Sequence, residues 1–174
     1  MEAERLIEAG RRALAESTDV PAVMAEAWQA QALARAVGGH LARCGPAEVR
    51  TEAGELSDTG APGAPVSDHP VVTTGGVRAS HLTEVTDVAG TLAALALYLG
   101  ELGIALVGVA CGTDEEGLYW QCIEAIDAAD ESVDRVHGML RRLADHERER
   151  EPGGERDGPY GVIRGPADPV AGRP

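Results

Sequence analysis

Apolar side chains recur every three or four residues through most of this chain, the spacing of helices that bury one face. Glu2 to Glu16 sets Leu6, Ile7, Ala13 and Leu14 on one side and Arg11, Arg12 and acids on the other. Ser17-Thr18-Asp19 offers capping oxygens ahead of Pro21, which a first helical turn tolerates because the amide it lacks would be unpaired there. A second helix then carries Val23, Ala27, Ala30, Ala34, Val37 and Leu41 up to the stop at Gly45-Pro46. Ala47 to Ser57 adds a short helix around Val49, Ala53 and Leu56, weakened by Gly54.

The most apolar stretch is Val85 to Cys111, with Ser80 placed to cap it and Gly112 to end it. Its length would also suit a membrane span. Against that, both ends are flanked by acids rather than the arginines that orient a span, and a narrow polar stripe interrupts it. Glu84, Thr91 and Tyr98 share one heptad position, and Asp87, Ala94 and Glu101 another. The pattern therefore predicts a central bundle helix with one wet edge, continued by the small residues Ala105, Gly108 and Gly112. Tyr98, Glu101, Ala105 and Gly108 are the expected interaction face.

Thr113-Asp114-Glu115-Glu116 reads as a capping box that opens the last helix after a tight turn. That helix repeats Tyr119, Ile123, Ile126, Ala129, Val133, Val136, Leu140 and Leu143 before a charged end at Asp145 to Glu151. Residues 59–79 are dense in Gly and Pro and form a connection, and 152–174 have too few large aliphatics to offset the entropy of ordering. The expected organisation is N-terminal helices in 1–58, the loop 59–79, a long helical hairpin in 80–151, and a disordered tail in 152–174. The expected fold is an all-α bundle of four, or with the short helix five, helices that ends in an antiparallel hairpin.

Composition narrows the partners. A net charge of -14 opposes binding to nucleic acid, and every one of the 15 basic residues is arginine. The N-terminus has no secretory pattern, and three cysteines without CxxC spacing suit free thiols, so a cytoplasmic location is expected. Their expected role is that of small buried hydrophobes.

Candidate chemistry is sparse. His40 and Cys44 lie four apart on one helical face and would need His137, Asp134, Cys122 or Cys111 to complete a metal site. Asp134 and His137 supply only half of a di-iron bundle motif, with Asp where Glu is required. No phosphate loop, nucleophile elbow or His-Glu-x-x-His helix occurs. Trp28 and the pair Tyr119-Trp120 are expected at core or edge positions. These observations favour a non-catalytic interaction or scaffold protein, without cofactor, whose partner is another protein or a second copy of itself. A metal- or small-ligand-binding bundle is the alternative, and a membrane-associated helical protein the second.

The segments Met1-Glu2-Ala3-Glu4-Arg5-Leu6-Ile7 with Arg11-Arg12-Ala13-Leu14, then Ala25-Glu26-Ala27-Trp28-Gln29-Ala30-Gln31-Ala32-Leu33, resemble an uncharacterised family of small alanine-rich helical proteins of high-GC actinobacteria. The resemblance implies an all-helical cytoplasmic protein and carries over no activity and no functional residue.

Overall fold

The computed structural model describes residues 1–59 and 77–150. Among them five α-helices hold the regular structure: α1 (Ala3–Glu16), α2 (Val20–Cys44), α3 (Arg50–Asp58), α4 (Val88–Gly112) and α5 (Glu116–Arg150). Short 3-10 turns occupy Ala47–Val49 and Arg78–His81. The protein is an all-α bundle, as the periodicity predicts. Most of the Gly- and Pro-rich connection and the whole expected tail lie outside the described residues.

Local chemistry sets the helix starts. Asp19 Oδ1 accepts the Ala22 amide at 2.8 Å and caps α2. The start of α4 differs from expectation: Asp87, not Ser80, is its cap, accepting the Gly90 amide at 2.9 Å. Ser80 falls inside the 3-10 turn, and the residues after it run extended because the N-terminal segment pairs with them. The Ala3 amide donates to the Glu84 carbonyl and the Thr83 amide to the Met1 carbonyl, each at 3.1 Å. Thr113 Oγ1 serves the Glu115 amide at 3.1 Å, one residue short of the predicted capping box, and α5 then begins at Glu116.

The core gathers on α4, whose Leu92, Leu95, Leu99, Leu102 and Leu106 are fully enclosed. They pack with Leu6 and Ile7 of α1, Leu33, Val37 and Leu41 of α2, Leu56 of α3, and Val136 and Met139 of α5. Helices α2 and α3 approach closely at Gly38, where an added Cβ would lie 2.7 Å from the Ala53 carbonyl oxygen. Helices α4 and α5 form the antiparallel hairpin, joined by a tight turn.

The buried line of α5 is Cys122, Ala129, Ser132, Val136 and Met139. Of the predicted repeat only Ala129 and Val136 are fully enclosed; Ile123, Ile126, Val133 and Leu140 are half-buried at its margin, and Tyr119 is exposed. The fully buried line of α5 thus mixes small residues, Cys122, Ala129 and Ser132, with Val136 and Met139. Ser132 is accommodated because its hydroxyl donates to the Ala128 carbonyl at 2.8 Å. Ion pairs of Arg135 with Glu55 and Arg142 with Glu52 link α3 to α5, and His146 Nε2 lies 3.1 Å from Glu48 Oε1 in the turn that leads into α3.

Candidate functional site: two sides of the apolar helix

Helix α1 runs parallel to α4. Glu4 lies beside Gly90, Gly10 against Tyr98, and Arg11 reaches Glu101. Two polar side chains of α4, Tyr98 and Glu101, meet partners inside the molecule.

Tyr98 is 0 % exposed, and its hydroxyl donates to Glu26 Oε2 on α2 at 3.2 Å. Both Glu26 oxygens also accept from the Arg78 guanidinium, each at 3.0 Å, and the Arg78 amide donates to Gln29 Oε1 at 2.8 Å. Burial pushes the Tyr98 phenol well above the usual tyrosine range, and the Glu26 carboxylate adds to the rise. Burial works against the charge on Arg78, yet the bonds and field of Glu26 hold its pKa above the usual value. Gly10 leaves room for the ring: an added Cβ would lie 2.6 Å from the Tyr98 hydroxyl oxygen.

Farther along, Glu101 accepts two bonds from Arg11, at 2.9 Å from Nε and 2.6 Å from Nη2. These bonds hold the Glu101 carboxyl below the usual carboxylate range and lift Arg11 above its own. Thr91 is 1 % exposed, with no hydrogen-bond partner for its hydroxyl among the described residues.

The expected wet edge is thus corrected. Tyr98 is enclosed, Glu101 is half-buried and ion-paired, Ala105 is half-buried, and Gly108 is exposed. These four residues share no continuous outer face. The heptad pattern identified the polar positions of α4 but not their partners Arg11, Glu26 and Arg78. A signal existed for one of them, because Glu26 falls one residue before Ala27 of the α2 seam.

The outer side of α4 is apolar instead. Leu97, Ile104 and Val107 are 52 %, 77 % and 49 % exposed, accompanied by the exposed Ala93, Gly100 and Cys111. On the α1 side, a shallow depression is lined by Glu8, Arg11, Arg12, Leu14, Ala15 and Glu101.

The metal candidates are not assembled. His40 is half-buried while Cys44 and His137 are exposed, and among the described residues no group of three or more His, Cys, Asp or Glu side chains could hold an ion. Cys122 is a buried thiol, 3.8 Å from Met24 Sδ, with its pKa pushed up by burial. Cys44 and Cys111 are exposed, so the expectation of buried thiols fails for both. Trp28 is half-buried, and Trp120 is 56 % exposed in an edge-to-face pair with Tyr119 at 5.5 Å.

A family model described as a family of unknown function (DUF6099) matches residues 1–142. The chain belongs to DUF6099. No curated protein and no solved structure matches it. The DUF6099 match spans α1 through α4 and α5 as far as Arg142, so both sides of α4 lie inside the family region.

Proposed function

We propose that this DUF6099 protein is a non-catalytic interaction or scaffold protein of the cytoplasm, and that the outer face of α4 is its docking surface. The observation that supports the reading is the exposure of Leu97, Ile104 and Val107 on a helix whose polar residues are turned inward. Contiguous exposed apolar surface of this kind marks contact sites in globular proteins. The test is Ile104→Glu in the full chain. The variant should keep the helical circular dichroism of the wild type and lose its association, read as oligomer mass or as a stoichiometric partner recovered from native cells. A wild-type chain with neither, or an association indifferent to Ile104→Glu, would count against the reading.

One observation favours a second reading, membrane association. Val88–Gly112 is long and apolar enough to cross a bilayer, with a mean hydropathy of 2.0 in a window only 39 % buried. Its contacts with α1, α2 and α5, and its two polar anchors, argue for the bundle. Quantitative recovery of the protein without detergent would remove the membrane reading.

A further inference from the structure

We infer that the end of α5, residues 141–150, is an arm latched by charge to α3 and its leading turn, and that ionic strength releases this arm while the rest of the bundle stays closed.

Helix α5 has 35 residues and its hairpin partner α4 has 25. At the helical rise per residue, the last ten residues of α5 therefore overhang the start of α4 by about 15 Å. The family match ends at Arg142, where this overhang begins. Between 141 and 150 only Leu143 and Ala144 are apolar, and neither is fully buried. A helical stretch shorter than about 12 residues is marginal in water by itself. The order of the arm therefore depends on what it touches.

Two of its side chains reach across to the neighbouring element. Arg142 Nε donates to Glu52 Oε1 at 2.6 Å, and His146 Nε2 lies 3.1 Å from Glu48 Oε1. One rung closer to the hairpin turn, Arg135 pairs with Glu55. Positions 48, 52 and 55 ascend while their partners 146, 142 and 135 descend, so an acidic row meets its partners in antiparallel order. The rungs are unequal. Glu52 is only 18 % exposed and its Oε2 has no hydrogen-bond partner among the described residues, whereas Arg142 is 59 % exposed. An enclosed carboxylate thus draws on an arginine that stands in water. Dissolved ions reach that arginine freely, so salt weakens this latch far more than it weakens the enclosed Glu26–Arg78 pair.

Amide hydrogen exchange on the full chain reads the arm directly. Raising NaCl from about 0.1 M to about 1 M shortens the screening length from about 10 Å to about 3 Å. Protection of the amides of 141–150 should fall roughly three- to tenfold, as expected when two partly exposed contacts are screened, while that of 128–139 and of α4 holds. Glu52→Gln and Arg142→Gln, each at the lower salt, should produce the same loss and remove most of the salt response. Protection of the arm that is indifferent to salt, an equal loss across 128–139, or no protection of the arm at either salt would overturn the proposal. So would an arm stripped of protection by Leu143→Ala and left protected by Glu52→Gln, which would assign its docking to apolar packing.

Discussion

The two sides of α4 invert the usual arrangement of a surface helix. Its inner and α1-facing sides hold the polar groups, Tyr98 and Glu101, each tied to a charge supplied by another element. Its outer side holds Leu97, Ile104 and Val107 in contact with water. A helix whose only need was to cover the core would place these groups the other way round, since apolar area gains about 25 cal/mol per Å² on burial. The inner polar contacts fix where α1, α2 and the Arg78 turn sit against α4. The outer apolar face, exposed at Leu97, Ile104 and Val107, takes no part in that arrangement.

The sharpest way to break this contrast is to truncate each side. Leu99→Ala, inside, should cost about 2–5 kcal/mol of folding stability through transfer and cavity terms. Ile104→Ala, outside, should stay within about 0.5 kcal/mol in protein dilute enough to be monomeric. Urea denaturation of both variants reads the difference directly, and a comparable loss at Ile104 would mean that the outer face already packs within the single chain.

The Glu26–Arg78–Tyr98 cluster comes next. Glu26→Gln keeps the shape but leaves the enclosed Arg78 without its counter-charge, and should cost about 2–3 kcal/mol. A neutral result would show that the turn at Arg78–His81 is held by its backbone contacts alone. Glycines give a smaller contrast between the same two sides. Gly10→Ala drives a methyl into the Tyr98 ring and should lose about 1–3 kcal/mol. Gly108→Ala meets nothing within 4 Å and should gain up to about 1 kcal/mol from helix propensity.

Much of this architecture is legible in the amino-acid order, for reasons specific to each element. Asp19 and Gly45 bound α2 through local hydrogen bonds and Pro21 suits its first turn by its fixed φ, so its limits follow from neighbouring residues alone. The start of α4 was not legible, because Ser80 and Asp87 are both good caps and the choice depends on pairing between residues 1–3 and 83–84. The orientation of Tyr98 and Glu101 was hidden for a related reason. A polar stripe on an apolar helix points to water or to a buried partner with equal ease, and here the partners lie 72 and 90 residues away in sequence. The apolar outer face was obscured because α4 is rich in leucine all round, leaving little periodicity to read.

The two polar anchors should also separate by pH. Burial favours the neutral phenol of Tyr98, so that contribution is complete below the ordinary tyrosine pKa of about 10 and is lost as pH rises toward the higher folded value. Tyr98→Phe should flatten the alkaline fall in the urea midpoint while costing about 1 kcal/mol near neutrality, the worth of the bond to Glu26.

Glu101 titrates in the opposite sense and with the smallest effect. The Arg11 bonds lower its folded pKa, so the stabilisation is present above the ordinary carboxylate value of about 4.3 and disappears as pH falls through the lower folded one. Glu101→Gln should therefore reduce the acid-side slope of stability and leave the alkaline side unchanged. Because about a third of each side chain remains in contact with water, molar salt should shrink the gap between wild type and Glu101→Gln. The same salt should leave the cost of Glu26→Gln nearly intact, since Glu26 and Arg78 are only 13 % and 18 % exposed. Equal salt sensitivity at the two anchors would mean that Tyr98 and Glu26 admit water, and that the inner side of α4 is no drier than its α1-facing edge.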